Sequence, residues 1–174
     1  MEGRLVDRDV QSLVGQPVPS LQLDSTEGPV DLADLAAGLL VLFLYPHATG
    51  RPDEPVPGWD SIPGARGCTA QSCAFRDAHG RFADLGATLA GLSAQAASEQ
   101  REFATRVGLH YRLVADPRLE LADALGLPTF AASGRSFYTR LTLVARARTL
   151  ERVFFPVTRP EENAADVLAW LERR

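Results

Sequence analysis

The sequence predicts a three-layer α/β fold with a central mixed β-sheet flanked by helices, and three observations carry that expectation. Residues 39–45 form a continuous apolar run closed by Gly38 and Pro46, which is the length and composition of a strand buried on both faces. Beyond residue 68, short apolar runs alternate with stretches of helical periodicity, the pattern of successive β and α units. Near the end, two apolar runs joined around residues 146–149 precede a last helix, so antiparallel strands join the parallel ones.

Taken in order, residues 13–38 read as short edge strands and turns. Pro17, Pro19, Gly28 and Pro29 punctuate them, with a helical turn possible at 30–35. The buried strand at 39–45 follows. Residues 47–67, HATGRPDEPVPGWDSIPGARG, hold four prolines and four glycines and keep no periodicity, so they read as a long loop. Trp59 and Ile62 are apolar enough to pin that loop down. A helix is expected over 69–85, a strand over 88–93, and a helix over 98–107 with Ser98 as N-cap and Gly108 past its end. A strand at 113–115 and a helix at 117–125 closed by Gly126 come next. Strands at 137–145 and 153–157 and a helix at 161–171 complete the series; the last begins with acids and ends with arginines, as its dipole favours.

At 174 residues the chain fits one domain over 1–174, carrying the Pro/Gly-rich insertion at about 47–67. Eighteen basic and 22 acidic residues leave a net charge of −4 and a pI near 5.4, which suggests no nucleic-acid or anionic-membrane partner. Every basic residue is arginine, excluding lysine Schiff-base chemistry and the phosphate-loop lysine. The first fifteen residues lack the apolar core of a signal peptide, and the longest apolar run is far too short to span a bilayer. The compartment expected is the cytoplasm.

Chemistry concentrates at the two cysteines, Cys68 and Cys73, in GARGCTAQSCAFRD. The Pro/Gly loop runs into the first, and helical periodicity begins there. A cysteine at a helix N-terminus faces unpaired N–H groups and the positive end of the dipole, both of which favour a thiolate. Arg66 lies two residues away, and another arginine could reach the sulfur from elsewhere in the fold. A lone cysteine would read as a small buried apolar residue; a second one five residues on favours redox function. In an ideal helix that spacing puts the Cα atoms roughly 8.6 Å apart, and a disulfide needs less than about 7 Å. The two can join only if the first turns unwind.

Zinc is the competing use of paired thiols. It wants four ligands, and only His47 and His79 lie nearby. With His110 they are expected to lie in solvent or make ordinary hydrogen bonds. GLS at 91–93 lacks the nucleophile-elbow pattern. Asp77, Glu99, Glu102, Asp116 and Asp123 read as solvated helix faces or caps.

With these residues in view, the chain resembles the peroxiredoxins of the AhpC/TSA-like thioredoxin-fold family. The likeness is to the bacterioferritin-comigratory-protein (PrxQ) group, whose two cysteines lie five apart on one helix. It runs from about residue 13 to 171 and rests on Tyr45-Pro46, Gly67-Cys68-Thr69, Cys73-x-Phe75-Arg76-Asp77 and Arg140-Leu141-Thr142-Leu143. The resemblance implies a thioredoxin-like fold and a thiol-dependent peroxidase. Cys68 would be the peroxidatic cysteine, oxidised by hydrogen peroxide or small organic hydroperoxides to a sulfenic acid. Cys73 would be the resolving cysteine, closing an intramolecular disulfide that thioredoxin or a similar dithiol protein reduces. No metal, haem or other cofactor is implied, and a monomer is favoured over a dimer.

Arg140 would bind the thiolate and the reacting oxygens, a task suited to a permanently charged fork of donors. The family's proline and hydroxyl before the cysteine would fall on Ser61 and Ala65. An insertion within the loop instead leaves Pro46 as that proline and Thr49 as the hydroxyl, with Ser61 and Thr69 as rivals. The glutamate often found three after the cysteine is Gln71 here, which bears on reductant docking or helix unwinding. Two other readings remain: a redox-sensing switch or interaction protein using the same helix, and a thioredoxin-like disulfide reductase. The second is disfavoured because such motifs space their cysteines by two residues.

Overall fold

The protein's structure, a computed structural model, describes residues 10–48, 56–62 and 64–174. Seven strands form one mixed sheet: β1 Gln22–Ser25, β2 Val30–Asp31, β3 Leu39–Leu44, β4 Ala87–Ser93, β5 Arg112–Ala115, β8 Leu141–Arg146 and β9 Thr149–Phe154. Their order is β2-β1-β5-β4-β3-β8-β9. β4 pairs parallel with β3 and β5, while β8 runs antiparallel to β3 and β9. A separate hairpin pairs β6, Thr129–Ala132, with β7, Arg135–Tyr138. The helices are α1 Leu32–Leu35, α2 Cys68–Asp84, α3 Ala97–Val107, α4 Glu120–Leu125 and α5 Asn163–Glu172.

All six residues of β3 are buried, and their alternation divides the core. Leu40, Leu42 and Leu44 pack with Val10, Leu13, Leu32, Leu121 and Ala122 on one face. Leu39, Val41, Phe43 and Tyr45 pack on the other with Phe75 and Phe82 of α2, Phe103 of α3, and Val167 and Leu168 of α5. Successive side chains of a strand point to opposite faces, so one apolar run serves both layers of helices. Phe43 stacks on Phe75 with ring centroids 4.5 Å apart, which fixes α2 over the sheet centre.

Several elements differ from expectation for identifiable reasons. The strand expected at 137–145 is two strands in two sheets: it breaks at Thr139 and Arg140, where Thr139 N–H donates to the Pro128 carbonyl at 3.0 Å. β6, to which the sequence reading assigned no element, exists by pairing with β7 across a short turn. The strand expected to begin at 153 begins at Thr149 and ends at Phe154, because Ala147 and Arg148 alone make the turn, with φ of 51° and 64°. Two consecutive positive φ values match the right-handed twist of a hairpin. Ser98 is not an N-cap: α3 starts at Ala97 after Ala96, without a side-chain cap, and buries Ala97. Residues 117–119 are a turn rather than helix, and α4 begins at Glu120. Pro160–Glu162 form a 3-10 turn before α5, whose last turn holds no basic residue. Among the described residues no helix is long and apolar enough to cross a membrane.

Asp116 is a buried cap. Its carboxylate accepts from the N–H groups of Glu120 and Leu121 at 2.9 and 3.0 Å and from the Tyr138 hydroxyl at 2.5 Å. Burial, then that carboxylate, push the Tyr138 phenol upward in pKa. Asp116→Ala leaves three donors, two of them buried, short of an acceptor, and urea unfolding should show a loss of about 2–4 kcal/mol.

Candidate active site

The site is assembled where α2 begins. Its N-cap, Gly67, has φ 105° and ψ 9°, a backbone state open to glycine and strained for other residues. A Cβ there would also sit 2.7 Å from Pro160 Cγ. Glycine is therefore required twice over, once by conformation and once by the close pass of the turn before α5. Cys68 is the first residue of α2 and is 4% exposed. It packs in the same cluster as Tyr45, Ala48 and Phe75. Residues 68, 71, 72 and 75 recur at helical spacing, and all four are buried.

The arginine that reaches the sulfur is Arg140, from the break between β7 and β8. It is 3% exposed, and its Nη2 lies 3.3 Å from Cys68 Sγ. The same nitrogen donates to the carbonyls of Gly64, Ala65 and Arg66 at 3.3, 3.4 and 3.0 Å. Nη1 donates to Gln71 Oε1 at 2.6 Å. Nε is buried and has no partner among the described residues. Arg66, by contrast, turns its side chain to solvent and pairs with Asp60. The strand break at 139–140 thus has a purpose: it frees Arg140 to turn toward α2.

Cys73 lies further along the wound helix, half-buried, and both thiols are free. The Tyr111 hydroxyl donates to the Ser72 carbonyl at 2.7 Å, fastening the turn between the cysteines. Burial is the main cause that raises the Tyr111 pKa, so this donor stays protonated. Pro46 is buried directly after β3. The next backbone groups are held by Gln95, whose amide accepts from Ala48 N–H and donates to Ala48 C=O, both at 3.0 Å. Thr49 lies outside the described residues. Its rivals Ser61 and Thr69 are exposed.

His47 corrects an expectation. It does not lie in solvent: it is buried against Trp59 and Phe137, and its Nδ1 has no partner among the described residues. Burial, then the charge of Arg135, lower its pKa. Trp59 packs on Phe130 and Phe137 of the small hairpin, as the pinning of the loop required. Among the described residues no three His, Cys, Asp or Glu side chains gather where they could hold a metal.

Sequence reading missed the partners of Gln71, which is fully buried. Its Nε2 donates to Asn163 Oδ1 at 3.0 Å, and Thr142 Oγ1 donates to the same oxygen at 2.7 Å. The helical spacing from Cys68 could have placed Gln71 on the inner face; nothing local marks Asn163.

A family model for Redoxin matches residues 13–168. The chain belongs to the Redoxin family. Within it, the chain is similar to Bcp and Q peroxiredoxins. It is 32% identical over 112 residues to Peroxiredoxin Bcp of Bacillus subtilis, covering 64% of this chain and 62% of that protein. It is 28% identical over 162 residues to the chloroplastic Peroxiredoxin Q of Arabidopsis thaliana, covering 91% of this chain and 66% of that one. The chain thus spans less than two thirds of the length of either relative. Among solved structures, BcpB of Mycobacterium tuberculosis superposes with a TM-score of 0.74 at 27% identity, covering 92% of this chain and 96% of that one. Xanthomonas campestris Peroxiredoxin Q shares the fold, with a TM-score of 0.69 at 22% identity over 88% of this chain and 90% of that one.

Gly67 gives the site its own test. Gly67→Ala should lower stability to urea by about 1–3 kcal/mol. Combining it with Pro160→Gly should recover the part due to the clash and leave the conformational part.

Proposed function

We propose that this Redoxin is a thiol-dependent peroxidase that reduces hydrogen peroxide and organic hydroperoxides at Cys68. The observation that carries the reading is the Arg140 guanidinium, 3.3 Å from Cys68 Sγ, with a second buried N–H, on Nε, left without an acceptor among the described residues. One donor faces the nucleophile while another remains for an oxygen. The thiolate is the attacking form of cysteine. It attacks the terminal peroxide oxygen; an S–O bond forms, the O–O bond breaks, and water or an alcohol leaves after taking up a proton. Sulfur loses two electrons and becomes a sulfenic acid. Fixed donors aimed at the developing negative charge lower the barrier without reorganising.

In the second step Cys73 sulfur attacks Cys68 sulfur, a disulfide forms, and water leaves. A dithiol protein of the thioredoxin type then returns two electrons and two protons. The wound helix forbids direct closure, since ideal geometry holds the Cα atoms roughly 8.6 Å apart. Turnover therefore includes unwinding of the first turns of α2. Pro46, two residues past the end of β3, is assigned the family's proline, and Thr49 the active-site hydroxyl from its place after Pro46. We take residues 47–67 to belong to one domain with the rest, in a cytoplasmic monomer; the packing of Trp59 supports the first part of that reading.

Rapid mixing tests the assignment. Cys68→Ser should abolish peroxide consumption, whereas Cys73→Ser should complete one turnover and retain an oxygen by intact mass. Arg140→Ala should slow Cys68 oxidation by on the order of 10²–10³-fold with the fold kept. Consumption by Cys68→Ser at the wild-type rate would end the proposal.

A cavity of about 640 Å³ lies beside Arg140, lined largely by Ile62, Pro128, Phe130, Phe155, Pro156 and Val157. Its size and apolar walls suit the carbon tail of an organic hydroperoxide. Val157→Trp, which would fill it, should slow the reaction with cumene hydroperoxide about tenfold or more while leaving hydrogen peroxide within about twofold. Equal losses on both substrates would count against a tail site.

A further inference from the structure

Arg140 is not held by its immediate contacts alone. Arginine can only donate hydrogen bonds, so Gln71 must turn its carbonyl oxygen to Nη1, at 2.6 Å. Its amide N–H groups then point the other way, and Nε2 finds Asn163 Oδ1 at 3.0 Å. Asn163 must therefore present its oxygen, and the Thr142 hydroxyl donates to that same atom at 2.7 Å. The direction of every bond follows from the charge at one end. Gln71 and Thr142 are fully buried and Asn163 is 2% exposed, so water does not substitute for any partner. Three elements, α2, β8 and α5, meet at one carbonyl oxygen.

We infer that Asn163 is a positioning residue acting on Cys68 through Gln71 and Arg140, and that the same contact holds the first turns of α2 wound. This rests on the peroxidase reading and deepens it. Gln71 lies between the two cysteines in sequence. Any unwinding that carries Cys73 to Cys68 draws Gln71 away from both Arg140 and Asn163, leaving Oδ1 with Thr142 alone. Asn163 thus has opposite effects on the two chemical steps. It speeds the first by fixing the guanidinium beside Sγ. It slows the second by holding the helix that must open. An amide at position 71 suits both ends because it accepts and donates, which a carboxylate cannot do.

The test uses Asn163→Leu, which removes the acceptor, and Asn163→Asp, which keeps an oxygen at the start of α5, where negative charge is tolerated. In a Cys73→Ser background, Asn163→Leu should lower the second-order rate of Cys68 oxidation about tenfold, the scale of one buried hydrogen bond. Asn163→Asp should recover it to within about threefold of the parent. With Cys73 intact, disulfide closure after one equivalent of peroxide should run about fivefold faster in Asn163→Leu. In the reduced protein, amide exchange should rise at residues 69–73 and stay unchanged in β3, a readout that needs no peroxidase activity.

Unchanged oxidation and closure rates in Asn163→Leu would overturn the inference. So would exchange that rises equally in β3 and at residues 69–73, which would mean general destabilisation. If the wild-type chain consumes no peroxide, the peroxidase reading falls, while the exchange measurement still judges whether Asn163 holds the helix.

Discussion

A guanidinium keeps its charge at every physiological pH, and burying one obliges the fold to surround it with acceptors or lose several kcal/mol. Arg140 is buried to 3% exposure, and the structure around the site can be understood as the answer to that demand. The chain leading into α2 turns three successive carbonyls toward it. Gln71 supplies a fourth oxygen. None of these is a carboxylate, and among the described residues the only contacting atom able to carry full negative charge is Cys68 Sγ. On the peroxidase reading, the positive charge is thereby reserved for sulfur and for the oxygen that approaches it.

That reservation explains features that look unrelated along the chain. Gly67 is needed so that the loop can double back to present its carbonyls and still clear Pro160. The broken strand at 139–140 releases Arg140 from the sheet ladder, which would otherwise fix its direction. The stack of Phe43 on Phe75 sets the height of α2 over β3, and so the depth of Cys68. Each contact is ordinary by itself, and together they place a charge and a thiol in direct contact.

Much of this was legible in the sequence. The length of the run at 39–45 favoured a buried strand over a helix, and the two cysteines on one helix pointed to the proposed site and its mechanical difficulty. Arg140 was named from a motif resemblance, and its burial against sulfur accords with that reading. What escaped depended on pairing and packing. β6 is a strand because β7 pairs with it. Asn163 is 92 residues from Gln71, and an asparagine at the head of a helix reads as a cap from sequence alone. His47 was expected in solvent or in an ordinary hydrogen bond, yet Trp59 and Phe137, distant in sequence, wall it in. Short-range periodicity sees faces; it does not see which faces will meet.

The two steps of the proposed chemistry make incompatible demands on α2. Oxidation needs a rigid cradle, because a misplaced donor loses most of its effect on a developing charge. Closure needs that cradle dismantled. A fold can serve both only if the ordered segment is stable enough to be the resting state and weak enough to open within turnover. Its fastenings here are few and discrete: the Gln71 amide, the Tyr111 hydroxyl on Ser72, and the packing of Cys68 itself. Thr69 and Ala70 are exposed. Phe75 and Phe82, past Cys73, are locked into the core. Opening can therefore run from Gly67 toward Cys73 and stop there, leaving the rest of the helix as the fixed point from which the second thiol swings.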